Sequence, residues 1–370
     1  MSSPKPLFLS VIVPVHNGEA TLEESLVALR GSDLDARAWE LIVVDDASSD
    51  SSGEIARTHA DRVVTLTEGP HGPAFARNRG AETARGDLLA FVDADVVVHG
   101  DALARLVSRL TGEPDLVAVF GAYDTEPRAR GLVTEYRNLL HHHVHASRPG
   151  PANTFWAGLG AIRRDDFLRA GGFDERRYPR PRIEDIELGY RLHAAGSRID
   201  LDPGIQGTHL KRWNLGSMIR CDLLDRGVPW MRLLLERGNA GPGTLNIESR
   251  ERVLTALALA GVAALTVAIA IGSWAFAGFG VLLLLSVLVS NAPLLLWFAR
   301  ERGVLFAAGV LPLRLLYYGL NGISVGLALI LHLGSRRKTG HRSTPASSLP
   351  PLTAREGDLS SDLASNRSAT

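Results

Sequence analysis

Two acidic groups stand directly after short apolar runs near the start of the chain. Asp45 and Asp46 follow residues 40–44 (ELIVV), and the triplet Asp93-Ala94-Asp95 follows residues 88–92 (LLAFV). Two carboxylates flanking one residue at the end of a buried segment are costly unless a cation lies beside them. Mg²⁺ or Mn²⁺ prefers such oxygen ligands and would bridge a diphosphate. The first pair can accept hydrogen bonds from a base or ribose, but it equally suits an Asx turn or a helix cap.

Two further clusters carry charges suited to a diphosphate or to proton transfer. In the sequence GPAFARNRG, Arg77 and Arg79 either pair with phosphate oxygens or are solvated arginines at a helix start. Glu184, Asp185 and Glu187 cluster where a helix begins. The helix dipole alone would favour carboxylates there, and one of them can also act as a general base.

Histidines and one tryptophan supply further candidates. In the sequence HLKRW, His209 can complete a metal shell or contact a diphosphate, and Arg212 can offset phosphate charge. Trp213 can stack on a sugar or lie at a membrane surface, and the whole segment also suits a juxtamembrane basic and aromatic patch. His141 and His145 are four residues apart on a predicted helix, without a nearby carboxylate, which favours a structural or acceptor-facing role over metal binding.

The apolar runs before these residues indicate the elements that position them. Residues 9–14, 40–44 and 88–92 predict buried strands, residues 63–67 are a further candidate, and residues 21–29 have helical spacing. Strands that alternate with helices predict an α/β fold with a mostly parallel sheet. Ligands bind beyond the carboxyl ends of such strands, where both acidic groups fall.

Composition excludes several classes of protein. The 370 residues are 45% apolar, and Lys plus Arg equals Asp plus Glu at 40 each, which argues against a nucleic-acid binder. The single cysteine, Cys221, excludes an intramolecular disulfide and a cysteine-based zinc site. The first residues lack the long apolar stretch of a secretory signal, so none is expected.

The last third of the chain has a different composition. Residues 253–271 and 279–298 are apolar runs of about 20 residues each, long enough to cross a bilayer core of about 30 Å. Residues 304–333 also contain a proline, an arginine and several glycines, which predicts an interfacial helix followed by one span, or a re-entrant hairpin. Residues 213–237 mix Leu, Met, Ile and Trp with Arg, which predicts an interfacial amphipathic helix.

Charges next to these runs predict the orientation in the membrane. Arg250, Arg252, Arg300 and Arg302 favour the cytoplasmic side. The basic cluster at 336–338 also favours the cytoplasm, although three spans would place it on the far side. The sequence leaves this conflict open.

The order of the motifs is more specific than any one of them. VIVPVHNG, VVDDASSD, GPAFARNRGA, FVDAD, GGFDE and EDIELGYRL succeed one another between about Leu9 and Trp213. This series resembles the family 2 glycosyltransferases of the GT-A fold, a Rossmann-like α/β fold. The resemblance implies a catalytic domain at 1–212. Composition predicts an amphipathic interfacial segment at 213–250, a transmembrane region at 251–334 and a disordered tail at 335–370.

The resemblance also implies roles for individual residues. Those of the nucleotide site would be Pro14, His16, Asp45 or Asp46, Arg77 and Asp93. Those that bind Mg²⁺ or Mn²⁺ would be Asp93, Asp95 and His209. The catalytic base would be Asp185, next to Glu184. Those of the donor-sugar and acceptor pocket would be Trp156, Gly158, Arg212 and Trp213.

The implied activity is inverting transfer from a nucleotide-sugar, with UDP the expected base and GDP open, to a hydroxyl of a membrane-associated, possibly lipid-linked acceptor. The setting would be cell-envelope glycan synthesis at the bacterial inner membrane, with a cytoplasmic catalytic domain and no nucleic-acid partner. Processive synthases carry Q-x-x-R-W where this chain has His209 in place of Gln, which favours single transfer. The alternatives are a processive polysaccharide synthase, a nucleotidyltransferase and an inactive membrane scaffold.

Overall fold

The computed structural model describes residues 8–237 and 249–338. Within these ranges, one mixed sheet forms the centre of the N-terminal part, and its strands are rich in apolar residues with no exposed surface. In chain order the strands are β1 (Leu9–Val15), β2 (Trp39–Asp46), β3 (Arg62–Leu66), β4 (Leu88–Val92), β5 (Val96–Val98), β6 (Leu116–Tyr123), β7 (Gly150–Ala152), β8 (Leu159–Arg163) and β9 (Arg198–His209).

The sheet has a parallel half and a mixed half. Its strand order is β3-β2-β1-β4-β8-β6-β9-β5, with β7 paired to β9. Strands β3, β2, β1 and β4 are mutually parallel, whereas β8 is antiparallel to both β4 and β6. The predicted α/β fold is confirmed, and the predicted strands all lie in the parallel half. The ends of β1, β2 and β4 meet at one edge, as expected for parallel neighbours.

Seven helices of the described part belong to this domain. They are α1 (Glu19–Arg30), α2 (Ser52–His59), α3 (Pro73–Thr83), α4 (Ala102–Gly112), α5 (Leu132–Ala146), α6 (Arg164–Arg169) and α7 (Glu184–Ala194). Helix α3 lies especially close to the sheet, because a Cβ at Gly80 would stand 2.5 Å from Cγ2 of Ile12. This close approach brings the first turns of α3 to the edge where the parallel strands end.

A bent helical segment links the domain to the C-terminal helices. It consists of α8 (Leu215–Arg220), a π-helical turn (Cys221–Gly227) and α9 (Val228–Arg237). The sequence predicts an amphipathic helix on a membrane surface here, but Trp230 and Leu233 are buried against residues of α7. The indole N–H of Trp230 donates to the Tyr190 hydroxyl at 3.2 Å. The N-terminal domain therefore covers part of the apolar face that the sequence analysis assigned to a membrane surface.

Four helices follow: α10 (Ser249–Ile271), α11 (Trp274–Ser290), α12 (Ala292–Arg302) and α13 (Val304–Lys338). By length and composition, α10 and the segment Val304–Gly334 can each cross a membrane, and α11 with α12 forms a third candidate bent by 53°. The bend falls at Asn291 in the predicted span 279–298, just before a proline that cannot donate a helical hydrogen bond. The predicted second span at 279–298 thus corresponds to a bent pair of helices, which can form a broken span or a re-entrant loop.

Helix α13 also differs from the sequence prediction. It is one continuous helix with Pro312 inside it, neither an interfacial helix with a separate span nor a hairpin. It continues through residues 335–338, which the sequence assigned to a disordered tail. The rest of that predicted tail, 339–370, lies outside the described residues, as do residues 238–248 of the predicted interfacial segment.

The C-terminal helices pack directly on the N-terminal domain. Phe298 of α12 is fully buried and packs near Tyr136 of α5, with ring centroids 6.0 Å apart. Nε of Arg302 donates to the Glu135 carboxylate at 2.8 Å. An apolar contact and an ion pair thus fix α12 and the start of α13 to α5, so both parts of the molecule can line one cavity.

Candidate active site

A cavity of about 1490 Å³ begins at the carboxyl ends of the parallel strands and reaches the C-terminal helices. Pro14, Asp46 and Asp95 line its domain end, and Arg314 and Tyr317 of α13 line the opposite end. Most residues predicted for the site line this cavity, although they come from distant parts of the sequence.

At the nucleotide end, the carboxylate of Asp46 is held by the backbone. Its two oxygens accept hydrogen bonds from the N–H groups of His71, at 2.9 Å, and Gly72, at 2.7 Å. Nδ1 of His16 lies 2.7 Å from the Asp46 carbonyl oxygen, which fixes the imidazole at the cavity wall beside Pro14. These contacts hold a rigid polar wall at the ends of β1 and β2.

Asp45, the alternative to Asp46, has a different environment. It is buried, it does not line the cavity, and its Oδ1 accepts a hydrogen bond from the Ser48 N–H at 3.0 Å. This is the local-turn role that the sequence left open for the pair. Of the two neighbours, Asp46 is the one placed to meet a ligand.

Arg77 lies buried between two carboxylates. Its Nη2 donates to Oδ1 of Asp93 at 2.6 Å, and its Nη1 donates to Oε1 of Glu184 at 2.9 Å. The predicted phosphate contact is therefore replaced by protein contacts on two of its three nitrogens. Arg79 is directed to Glu175, and it does not line the cavity. Arg77 ties α3, the end of β4 and the start of α7 together.

Glu184 and Asp185 are adjacent but have separate partners. The second oxygen of Glu184 accepts the N–H of Arg182 at 2.9 Å, so both of its oxygens are engaged. Asp185 lines the cavity, and its Oδ2 accepts the Ala157 N–H at 3.2 Å. The other oxygen of Asp185 accepts the Ile186 N–H at 2.8 Å. Both carboxylates line the cavity, but Glu184 is tied to Arg77 and thus has a positioning role, whereas Asp185 forms no ion pair within the described residues.

The surroundings of Asp185 set its proton affinity close to neutrality. Burial, together with the negative charge of Glu184, raises the pKa of Asp185 to about 6. The charges of Arg226 and Arg77 oppose this rise. A carboxylate with a pKa near 6 is ionised at neutral pH and still binds a proton well, as a general base requires.

The residues predicted to bind metal are only partly brought together. Oδ2 of Asp95 lies 3.5 Å from Nε2 of His209, whose ring stacks on Tyr123 with centroids 4.3 Å apart. Asp93 instead pairs with Arg77. Among residues 8–237 and 249–338, no group of three or more His, Cys, Asp or Glu side chains has the arrangement of a metal cage. Asp95 and His209 still fit a site completed by a substrate, since Mg²⁺ commonly uses one or two carboxylates plus phosphates.

Aromatic rings pack behind this acidic edge. Trp156 is buried, and its ring centroid lies 4.8 Å from Tyr123 and 4.7 Å from His141. A Cβ at Gly158 would stand 2.5 Å from the Trp156 indole, so only glycine fits there, and its carbonyl accepts the Asp93 N–H at 3.1 Å. Burial lowers the pKa of His145 to about 4 and that of His141 well below its usual value, so both rings are neutral.

The last two predicted residues lie at the cavity wall. Arg212 is exposed and lines the cavity. Trp213 lies between two cations, with Nζ of Lys211 4.4 Å and the Arg137 guanidinium 4.9 Å from its ring. Trp213 is thus a half-buried part of the wall, held by cation–π contacts.

Sequence analysis missed Arg226, which lies in the π-helical turn. It lines the cavity, and its charge is the strongest that lowers the pKa of Asp185. The side chain of Arg226 forms no hydrogen bond or ion pair in the described part of the chain. Arg226 lies within residues 213–237, which the sequence predicts to be an interfacial helix. An arginine is expected on such a helix, so the sequence did not indicate that Arg226 belongs to the site.

Residues 10–170 match the family model described as glycosyl transferase family 2. This segment, somewhat less than half of the chain, is similar to the family 2 glycosyltransferases. The similarity agrees with the fold and with the acidic residues at the ends of the parallel strands.

Individual relatives support the same family. The chain is 29% identical over 264 residues to validoxylamine A glucosyltransferase from Streptomyces hygroscopicus subsp. limoneus, covering 60% of this chain and 57% of that protein. It is 36% identical over 121 residues to the undecaprenyl-phosphate 4-deoxy-4-formamido-L-arabinose transferase of Pseudomonas aeruginosa strain LESB58, covering 31% and 36% of the two chains. The chain thus spans little more than half of the first relative.

A solved structure shows the shared fold. The mannosyltransferase from Pyrobaculum calidifontis, solved in complex with GDP-Man and Mn²⁺, aligns with a TM-score of 0.59 at 22% identity. The alignment covers 83% of this chain and 87% of that one. The predicted GT-A fold, followed by helices able to span a membrane, is confirmed.

Proposed function

We propose that the protein is a family 2 glycosyltransferase that transfers a sugar from a nucleotide-sugar to a hydroxyl of a lipid-linked or membrane-associated acceptor. One observation carries the proposal: a single cavity joins a carboxylate suited to proton transfer, Asp185, to helices suited to a membrane. The site would serve cell-envelope glycan synthesis at the bacterial inner membrane. The undecaprenyl-phosphate transferase among the relatives supports an acceptor of this class.

The donor would bind at the acidic edge of the sheet. Pro14, His16 and Asp46 line the part of the cavity assigned to the nucleoside, with UDP the first candidate base and GDP the second. Asp95 and His209 would hold Mg²⁺ or Mn²⁺ together with the donor diphosphate. The metal would supply positive charge that stabilises the departing nucleoside diphosphate.

The acceptor would react beside Asp185. The ionised carboxylate takes the proton of the acceptor hydroxyl as that oxygen attacks the anomeric carbon from the face opposite the leaving group. One displacement inverts the stereochemistry at that carbon. Glu184 and Arg77 hold the start of α7 in place, and the Arg226 charge favours the ionised form of Asp185. Trp156 and Gly158 shape the wall behind the sugar, and Arg212 and Trp213 lie at the cavity wall toward the acceptor.

The chain's organisation fits this assignment. We place the catalytic domain at 1–212, a linking segment at 213–250 and the membrane region from 251 to 334. Arg250 and Arg302 are next to the catalytic side of the helices, which favours a cytoplasmic catalytic domain under the positive-inside rule. The acceptor would then be reached from the cytoplasmic leaflet.

The test is transfer by detergent-purified full-length protein with UDP- and GDP-sugars, Mn²⁺ or Mg²⁺, and membrane lipids as acceptor. We expect metal-dependent release of a nucleoside diphosphate from one donor, which EDTA abolishes. Asp185→Asn should lower turnover at least about 100-fold, the usual contribution of a general base. Asp115→Asn, at an exposed carboxylate outside the cavity, is the matched control and should keep wild-type turnover.

Other products would identify the alternatives. Release of pyrophosphate would indicate a nucleotidyltransferase, and polymer without single additions would indicate a processive synthase. Near-normal transfer by the Asp185→Asn variant would show that another group is the base. No release from any donor would favour an inactive scaffold.

A further inference from the structure

A polar stripe runs along the otherwise apolar helix α13. Arg314, Tyr317, Asn321 and Ser324 are spaced three, four and three residues apart, which places them on one face of the helix. The first three line the large cavity, and Ser324 lies beside Gly227 of the π-helical turn. Ionisable residues in membrane helices are costly, and they usually serve a binding or transport function.

Arg314 is the charged member of this stripe and is buried. Nε and Nη2 donate to Oδ1 of Asn291 at 3.1 and 2.9 Å, and Nη2 also donates to the Tyr318 hydroxyl at 2.7 Å. Glu251 lies 3.3 Å from Nη2, but it also pairs with Arg250 at 3.1 Å. One carboxylate therefore serves two arginines, which leaves an excess of positive charge.

One nitrogen of the Arg314 guanidinium is free to bind a ligand. Nη1 makes no hydrogen bond within residues 8–237 and 249–338, although the other two nitrogens do. Arg314 lines the large cavity, so a ligand there can accept a hydrogen bond from this nitrogen. A phosphate oxygen accepts strong hydrogen bonds from a guanidinium group.

An apolar groove meets Arg314 from the other side. It has a volume of about 250 Å³ and lies between α11, α12 and α13, with walls that include Leu285, Leu288, Leu311 and Leu315. Arg314 lines this groove and also the large cavity. The bend between α11 and α12 leaves this groove next to a charged group, a combination that suits an amphiphile with one hydrocarbon chain.

Two further arginines line the same cavity. Arg220 and Arg226 are in no ion pair in the described part of the chain, although Asp222 and Asp225 of the π-helical turn line the cavity as well. An anionic headgroup could accept hydrogen bonds from these arginines, whereas a neutral lipid would leave them and Nη1 of Arg314 without an anionic partner.

We propose that Arg314 binds the phosphate of a single-chain lipid, whose hydrocarbon chain occupies the groove and whose headgroup extends into the cavity toward Asp185. This rests on the proposed function, and it names the anchor by which the acceptor is held. Asn291, Tyr318 and Glu251 keep the guanidinium in place at the bend. The bound phosphate would accept a hydrogen bond from Nη1 of Arg314.

The test measures lipid binding to the full chain in detergent by native mass spectrometry, without any sugar donor. The probes are undecaprenyl phosphate, undecaprenol with the same chain but no phosphate, and two-chain phosphatidic acid. We expect the prenyl phosphate to bind at least about tenfold more tightly than the alcohol and the phosphatidic acid, as a charge-assisted contact implies. In Arg314→Gln, binding of the phosphate should fall to that of the alcohol.

A second pair of variants examines the groove without changing any charge. Leu288→Trp fills the groove and should weaken both prenyl lipids about tenfold or more. Val289→Trp, at the neighbouring exposed position outside the groove, is the matched control and should bind like the wild type. Unchanged nucleoside-diphosphate binding would show that each variant is folded.

Each contrary result would overturn the inference. If undecaprenyl phosphate and undecaprenol bound equally well, Arg314 would not be a phosphate site. If phosphatidic acid bound as tightly as undecaprenyl phosphate, the groove would be a site for ordinary phospholipids. If millimolar inorganic phosphate displaced the lipid, the hydrocarbon chain would not contribute to binding. If lipid binding depended on Arg314 but no sugar were transferred, the lipid site would stand and the proposed function would be wrong. If sugar were transferred but lipid binding did not depend on Arg314, the proposed function would stand and the lipid site would be wrong.

Discussion

Adjacent carboxylates in this site have different tasks because their partners differ. Glu184 accepts hydrogen bonds on both oxygens, from the Arg77 guanidinium and from the Arg182 N–H, and is thereby held in place. Asp185 accepts its hydrogen bonds from the uncharged N–H groups of Ala157 and Ile186, is buried beside Glu184, and therefore has a raised pKa. The same division separates Asp93, which pairs with Arg77, from Asp95, which faces His209.

The pKa of Asp185 predicts the pH dependence of turnover. A general base must be ionised, so kcat should fall about tenfold for each pH unit below about 6, the pKa to which burial and Glu184 raise this carboxyl. Above that value, kcat should be independent of this group. The measurement is the pH profile of kcat with saturating donor and acceptor.

The variant Arg226→Gln tests whether Asp185 is the group that causes this pH dependence. Arg226 lowers the pKa of Asp185, so its removal should raise that pKa further and move the acidic limb to higher pH. Arg169→Gln, at an exposed arginine on α6, removes the same charge away from the cavity and should leave the profile in place. An acidic limb that stays near 6 in Arg226→Gln would assign the titration to a different group.

At the scale of elements, helix α3 is positioned by the absence of one side chain. Gly80 lets the helix lie against β1 closely enough for Arg77 to reach both Asp93 and Glu184. These three residues come from α3, the end of β4 and the start of α7. A small displacement of α3 would therefore act on the acidic edge and on the start of α7 together.

Gly80→Ala should reduce both stability and turnover. The new Cβ would lie 2.5 Å from Ile12 and 3.1 Å from Val44, and such overpacking costs about 1–3 kcal/mol. Thermal or denaturant unfolding, together with kcat, measures the effect. Gly112→Ala, at a helical glycine whose added Cβ would meet nothing within 4 Å, should be neutral or slightly stabilising. If the two variants were equally stable, the position of α3 would not depend on the missing side chain at Gly80.

The sequence predicts the parallel strands and their acidic ends because an apolar run followed by carboxylates is a local pattern. Partners that are distant in sequence cannot be derived in this way. Arg77 and Glu184 are 107 positions apart, and the antiparallel pairing of β8 depends on two strands that are far from it in the chain. Arg226 lies in an apolar segment whose composition also fits a lipid surface, so its role appears only when the cavity is known.

At the scale of the whole molecule, two helices that are long and apolar enough to span a membrane lie side by side. Glu251 of α10 pairs with Arg314 of α13, and Leu259 further along α10 lies against Gly322 further along α13. The two helices therefore run in the same direction, away from the catalytic domain. The basic residues at 336–338 are carried to the end opposite that domain, against the positive-inside preference.

This direction predicts that the two ends of the chain lie on opposite sides of the membrane. A C-terminal alkaline phosphatase fusion should be active and a C-terminal green fluorescent protein fusion dark, since each reporter works on one side only. The same two reporters at the N-terminus should give the reverse pattern and serve as the control. A fluorescent C-terminal fusion would show that α10 and α13 do not both cross the bilayer.

The continuity of the cavity has a practical consequence for inhibitor design. A compound that fills only the nucleotide end, around Asp46 and His16, would meet backbone contacts and acidic residues that belong to the common family domain. Selectivity would come from a longer molecule that also reaches Arg314 and Tyr317, which lie beyond the matched region. Potency against this enzyme and discrimination from its relatives would thus be obtained from opposite ends of one compound.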